Sequence, residues 1–301
     1  MKIQQRSGTG RPAVPPPPTA RPPDPPTADA APETAGPTGP RAWTSALPDA
    51  AFGVLGVLLF AATLELLPRL GVVSADYLPP FSEMLGALGE QAGESAFWTA
   101  LLDTLQGWAY GLGIAVTLGV ALGLVIGSVE VLRKATASTI EFLRPIPSVA
   151  LIPLAVLVYG TGLESTLLLV VYAAVWPVLL QVLAGVRDVD PVARDTAASY
   201  RFTPWARLRY VLWPTTLPYL LTGLRLSASV ALILAVSSEL IIGSPGLGSE
   251  IARAQSSNAV AKMYALVLVT GALGVCVNVA ARALERRALA WHTSVRTEAV
   301  T

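Results

Sequence analysis

Six blocks of apolar residues run along the chain, separated by polar stretches of unequal length. They lie at about 50–67, 104–128, 143–160, 165–186, 216–240 and 264–284. A bilayer-spanning helix takes about 20 predominantly apolar residues. The pattern therefore predicts an all-α, polytopic membrane protein with six transmembrane helices. The third block is interrupted by Pro145, Pro147 and Pro153. Their freed carbonyls must be buried in protein or face a watery cavity. Two readings stay open there: a simply kinked helix, or an irregular entrance beside a permeation route, with Pro147 and Pro153 as candidate path residues.

The polar stretches differ from one another. Residues 76–99 are mildly amphipathic, and 243–262 (GSPGLGSEIARAQSSNAVAK) read as a turn followed by a short surface or re-entrant helix. The segment 187–215 between the fourth and fifth blocks is polar, arginine-bearing and helix-prone. Pro191 suits the first turn of a helix over Val192–Tyr200, because its missing N–H costs nothing there. Thr203 before Pro204 is the N-cap pattern of a second short helix, WARLRYVLW. Pro214 and Pro218 mark the start of the fifth span. Two such helices at right angles, projecting from the membrane, form a lever for a partner in water.

Within the second block small residues recur every fourth position: Gly107, Gly111, Ala115, Gly119, Gly123 and Gly127. They form one slowly drifting stripe, which lets helix backbones approach closely in lipid. Close packing within the subunit is the first reading. The second, a movable seam of a translocation path, makes Gly119 and Gly123 candidate path residues. Ser238 and Glu239 end the fifth block; a carboxylate at membrane depth is a functional candidate, though a water-capped place at the outer interface is the slightly preferred expectation. Glu65 is expected to pair with Arg69 one turn later. Asp103 and Gln106 are expected at a helix start facing water, and Arg225 to snorkel to the interface.

Composition sharpens this picture. Of 301 residues 53% are hydrophobic and 14% charged, with mean hydropathy +0.57, too few charges for the surface of a soluble protein of this size. Residues 11–40 hold 12 prolines and no aromatic. Residues 1–46 are thus expected as a disordered proline-rich tail, either solvated or, less simply, a ligand for a proline-binding domain. No apolar run follows its first charges, so it does not read as a signal peptide. The membrane domain is expected over 47–290 and a second tail over 291–301. If the first tail is cytoplasmic, the inner segments carry twelve Lys and Arg and the outer ones only Arg69, Arg253 and Lys262. That asymmetry predicts both termini inside.

The chemistry that is missing narrows the function. None of Lys2, Lys134 and Lys262 follows a glycine, so there is no P-loop. There is no HExxH and no GxSxG, and the single cysteine, Cys276, and single histidine, His292, make neither a disulfide nor a His/Cys metal site. A net charge of +1 implies no nucleic-acid partner. No metal, cofactor or catalytic residue is expected in the chain.

Taken with the spans on either side, the 187–215 segment resembles the coupling loop of the inner-membrane permeases of binding-protein-dependent ABC importers, the nitrate, taurine and alkanesulfonate permeases in particular. The family hallmark is Glu-Ala-Ala, three residues, Gly, then a hydrophobic stretch ending in Pro. With Pro214 as that proline, Asp195, Thr196 and Ala197 stand for the triplet and Arg201 for the glycine; only Ala197 and Pro214 match outright. EFLRPIPSVALIPLAVLVYG and LPYLLTGLRLSASVALILAVSSELIIGSPGLG resemble the subfamily's third and fifth spans. The resemblance covers about residues 50–290 and leaves out the proline-rich tail. It implies a type I importer permease in the bacterial plasma membrane, working as a homodimer. Each copy docks an ATPase subunit that holds ATP and Mg, and an extracytoplasmic binding protein delivers the solute. Asp195, Thr196, Ala197, Arg201, Arg207, Arg209 and Pro214 become the expected ATPase-coupling residues. Arginine in place of glycine at 201 turns less freely, which predicts an altered contact with the ATPase. A small anion such as nitrate, taurine or a sulfonate is implied by the subfamily, although relatives of this kind also carry vitamin precursors and nothing in the spans demands an anion. A stand-alone secondary transporter or channel is the alternative, but it needs internal repeats and a midplane ion site that the sequence does not display. A third reading, a membrane anchor or scaffold whose proline-rich tail recruits partners, suits the tail but leaves the helix-prone loop unexplained.

Overall fold

The computed structural model describes residues 49–290, and the expectations for both tails and His292 fall outside them. The chain divides into two units at Gly53, and the elements below belong to the second apart from the first residues of α1. All regular elements among the described residues are helical. Among the described residues five helices are long and apolar enough to cross a membrane, within Ala51–Arg69, Ser95–Ser128, Leu163–Arg187, Pro204–Ile242 and Val260–Ala288, and a bent pair brings the number to six if it counts as one span.

The first of these helices, α1 (Asp49–Arg69), is joined to α2 (Phe81–Ala92) by polar contacts. Glu65 pairs with Arg69 at 2.6 Å, as its spacing predicts, and also accepts from the backbone N–H (2.9 Å) and hydroxyl (3.0 Å) of Ser82. The next helix, α3 (Ser95–Ser128), starts nine residues earlier than the apolar block. Asp103 and Gln106 therefore lie two to three turns inside it rather than at its start. Apolar periodicity marks where a helix is greasy, not where its backbone begins.

The third apolar block is resolved differently from its sequence boundaries. An amphipathic helix α4 (Glu130–Leu143) is followed by a proline elbow, a 3₁₀ turn (Ser148–Leu151) and α5 (Ile152–Tyr159), bent by 83°. The reason is local. Arg144 keeps helical dihedrals (φ −54°, ψ −46°), but Pro145 and Pro147 have no N–H with which to carry the helix on, and Pro147 itself is extended (φ −62°, ψ 119°). Pro153 sits in the first turn of α5, where a proline is tolerated. Alone, α5 is about 12 Å long at 1.5 Å per residue, well short of a ~30 Å hydrocarbon core.

At the centre lies α6 (Leu163–Arg187), with α3 on one side and α9 (Trp213–Ile242) on the other. The small stripe of α3 faces a ladder on α6 formed by Val170, Val178, Val182 and Val186. A methyl group added at Gly119 would sit 2.8 Å from Val178 Cβ, and one at Gly123 would sit 2.6 Å from Val182 Cγ1. On the other side Gly223 lets α9 approach the α6 backbone, where an added methyl would meet Val178 Cα at 3.2 Å. Without a hydrophobic drive between helices in lipid, such close approach is what holds them. Leu112, Ala115, Val170, Ala174, Ala228, Ala231 and Ala235 complete this core.

Between α6 and α9 lie α7 (Pro191–Ser199) and α8 (Pro204–Arg207). The second short helix is not free-standing: α8 passes through a π-helical stretch (Leu208–Leu212) directly into α9. Pro214 cannot donate to the carbonyl four residues back, and its ring crowds that turn. A widened turn just before it absorbs the mismatch without ending the helix. The Thr215 hydroxyl, donating to the Val211 carbonyl (2.9 Å), supplies a further bond there. The 243–262 stretch forms α10 (Leu247–Ser256), the expected short helix, and the last long apolar helix is α11 (Val260–Ala288). Arg225 on α9 pairs with Glu285 on α11 at 3.3 Å rather than reaching out alone.

Candidate functional site

Both short helices of the 187–215 segment are built by their caps. The Asp190 side chain accepts from the Val192 N–H (2.8 Å), with Pro191 in the first turn of α7. Thr203 accepts from the Ala206 N–H (3.2 Å), with Pro204 in the first turn of α8, as the sequence predicts. The turn between them is the informative part. Phe202 N–H donates to the Ala197 carbonyl and Arg201 N–H to the Ala198 carbonyl, both at 2.9 Å. These are the 6→1 and 5→2 bonds of a Schellman motif, which requires a left-handed residue just past the helix end. Arg201 occupies that place with φ +50°. The chain thus makes the glycine-type sharp turn with arginine.

The expected coupling residues separate into two groups. Asp195, Thr196, Arg201, Arg207 and Arg209 are exposed. Ala197 is 4% exposed and faces its own chain, so the expectation that it touches a partner gives way to a packing role. It lines a cavity of about 580 Å³ together with Leu124, Val129, Val186, Arg194 and Leu208. The Arg194 guanidinium closes this joint by donating to the Val186 carbonyl at the end of α6. Pro214 is half-buried in the first turn of α9. Sequence reasoning passed over Tyr200, Trp205 and Tyr210, which are 76%, 71% and 69% exposed, with Arg209 over the Tyr210 ring at 5.9 Å. Their signal was available: five aromatics crowd residues 200–213, too many for two short helices to bury. Exposed aromatics rimmed by arginines are the composition of a docking face.

At the far end of α9, Glu239 contradicts the water-capped expectation. It is 1% exposed. The Thr104 hydroxyl on α3 donates to its Oε2 (2.8 Å), and so does the Gly248 N–H (3.0 Å). Thr104 also accepts from the Leu247 N–H (2.8 Å). The carboxylate and the hydroxyl together satisfy the first N–H groups of α10, which have no intrahelical partner, at the positive end of its dipole. The GSPGLG segment makes room for this. Gly246 has φ +148°, and a methyl there would overlap the Glu239 carboxyl group; at Gly248 one would lie 2.7 Å from Glu239 Cβ. Thr166 on α6 and Ser244 share a hydroxyl–hydroxyl hydrogen bond of 2.9 Å beside it. Thr104, Gly246 and Gly248 were not singled out from the sequence, because Thr104 is distant in the chain and the glycines read only as a turn.

The remaining path candidates do not converge. Gly119 and Gly123 are buried in the α3–α6 seam, Ser238 is buried with its hydroxyl donating to the Ala235 carbonyl (2.9 Å), and Pro147 and Pro153 are exposed at the elbow. No group of three or more His, Cys, Asp or Glu side chains among the described residues could hold a metal ion.

Residues 115–289 match the family described as the binding-protein-dependent transport system inner membrane component. The taurine transport system permease protein TauC of Escherichia coli (strain K12) is 33% identical over 253 residues, covering 81% of this chain and 90% of that protein. The putative aliphatic sulfonates transport permease protein SsuC of Bacillus subtilis (strain 168) is 30% identical over 248 residues, covering 80% and 88%. Among solved structures, an inward-facing conformation of the MetNI methionine ABC transporter aligns with a TM-score of 0.56 at 17% identity, over 64% of this chain and 95% of that one, a likeness of fold.

Proposed function

The chain belongs to the binding-protein-dependent transport system inner membrane components, and we propose that it is the translocating subunit of an ATP-driven importer for a small sulfonate-type solute. In this reading two copies form the pathway, the commonest oligomer symmetry, and the bent α4–α5 pair supplies the sixth span. The α7–α8 face lies in the cytoplasm with both termini, α10 lies outside, and a binding protein delivers the solute there. A separate ATPase docks on Tyr200, Trp205, Asp195, Arg201, Arg207 and Arg209. Its closure on ATP pushes α7, whose buried Ala197 and the Arg194–Val186 bond pass the displacement to the ends of α3 and α6. Because α8 is continuous with α9, the same push tilts the fifth span as a rod.

One observation carries the reading. The exposed, arginine-rimmed aromatic face is built around a left-handed turn at Arg201, where the family motif has glycine. The solute class is supported by what the names of the TauC and SsuC relatives say those proteins transport. The test is purification of the tagged chain in mild detergent with its copurifying subunits. Recovery of a P-loop ATPase that is lost in Arg207→Glu/Arg209→Glu is the expected result. An intact complex that moves solute with no ATPase present would refute it in favour of a stand-alone transporter.

A further inference from the structure

Beside the proline elbow lies a cavity of about 610 Å³ that neither the coupling face nor the Glu239 contacts use. Three separate elements each send an arginine to its wall: Arg133 from α4, Arg144 from the elbow and Arg187 from the last turn of α6. One carboxylate, Glu141, shares the lining, so the wall carries two net positive charges. The rest is apolar, including Ile126, Ile140 and Leu183.

These arginines are not consumed by structural pairing. Arg133 makes one long contact, donating to the Gly127 carbonyl at 3.5 Å. The guanidiniums of Arg144 and Arg187 make no ion pair or hydrogen bond among the described residues. Lys134, by contrast, one position from Arg133, is held by Glu130 at 2.7 Å and does not line the cavity. Unpaired like charges gathered in one concavity repel each other, and the arrangement is relieved by an anion. Guanidinium forks match the paired oxygens of phosphate, sulfate or sulfonate, and apolar side chains in the same lining suit a ligand with an oxyanion head.

We propose that this cavity is an oxyanion-binding site, with Arg133, Arg144 and Arg187 as its ligands. The shared chemistry is a phosphate- or sulfonate-type head, and two sources supply it: an anionic lipid headgroup, as basic pockets between membrane helices bind, or a free solute anion. The site stands apart from the coupling reading, since binding here is measurable whether or not ATP drives transport.

The test uses the full chain with its copurifying subunits in phosphatidylcholine nanodiscs. Sodium sulfate is titrated calorimetrically at constant ionic strength set with chloride. A parallel sample contains phosphatidylglycerol, and retained lipid is counted by native mass spectrometry. Arg144→Gln/Arg187→Gln, both exposed positions that folding tolerates, is expected to weaken binding by about tenfold or more. Glu141→Gln is expected to strengthen it, and Lys134→Gln to leave it within about twofold. Arginine-dependent sulfate binding identifies a free-anion site; arginine-dependent phosphatidylglycerol retention alone identifies a headgroup site; either supports the proposal. It is overturned if neither probe responds to the arginines, or if Lys134→Gln weakens binding as much as the double variant, which would reduce the effect to general surface charge.

Discussion

Arg201 holds φ +50° in the turn that separates α7 from α8. A left-handed L-residue costs about 1–2 kcal/mol because its Cβ crowds the following carbonyl, and the two Schellman bonds at 2.9 Å offset part of that. Arg201→Gly is therefore expected to keep the turn and raise the melting midpoint of the purified protein, whereas β-branched Arg201→Ile lowers it. A drop in midpoint for the glycine variant would show that the arginine side chain, not the turn, is what the fold needs. A second residue-scale contrast lies at Gly246. Gly246→Ala drives a methyl into the Glu239 carboxyl at a φ that L-residues avoid, while Glu239→Gln keeps one acceptor for Thr104 or Gly248. The alanine variant should lose far more folded protein in detergent than the glutamine variant; equal losses would mean that the charge itself is the stabilising element.

Among the elements, α3 and α6 show how small residues act in pairs. A methyl at Gly119 meets Val178 below 3.0 Å, whereas at Gly113, on an exposed face of the same helix, nothing lies within 4 Å. Gly119→Ala is expected to destabilise by about 1–3 kcal/mol through overpacking, and Gly113→Ala to be neutral or slightly stabilising; thermal inactivation of the two variants separates them. α10 depends on Thr104 and Glu239 for its first amides. Thr104→Val leaves the buried Leu247 N–H unpaired, at about 1–3 kcal/mol, so hydrogen exchange at Leu247 and Gly248 should accelerate while the α3–α6 core stays protected. The elements also show what a sequence can disclose. The cap at Thr203, the place of Pro191 in a first helical turn, the Glu65–Arg69 pair and the small stripe were legible because each depends on neighbours within a few residues. The Glu239 contacts were not, because Thr104 lies 135 residues away. The continuity of α8 with α9 was missed for a different reason: Pro214 reads as a helix boundary, and only the π-helical turn before it shows how the helix continues.

In the whole molecule the apolar pattern predicted an all-helical protein with six spans. The described residues are helical in every regular element and hold five long apolar helices and a bent pair, and how the third block is made was not foretold. Pro145 and Pro147 show that a break occurs without giving its 83° angle. Nor did periodicity distinguish a lipid face from a docking face on α5, where Leu154, Leu157 and Tyr159 are exposed. The central claim is that α7 and α8 receive work from a separate ATPase and deliver it to α3, α6 and α9. The most direct measurement is solute uptake by proteoliposomes containing the chain with its copurified ATPase and binding protein, with and without ATP, for the unaltered protein and for Ala197→Glu. That variant places a charge in the 580 Å³ joint under α7 rather than on the docking face. The account expects ATP-dependent uptake in the unaltered protein, and in the variant continued ATP hydrolysis with uptake lost. ATP-independent uptake, or full transport by Ala197→Glu, would contradict it.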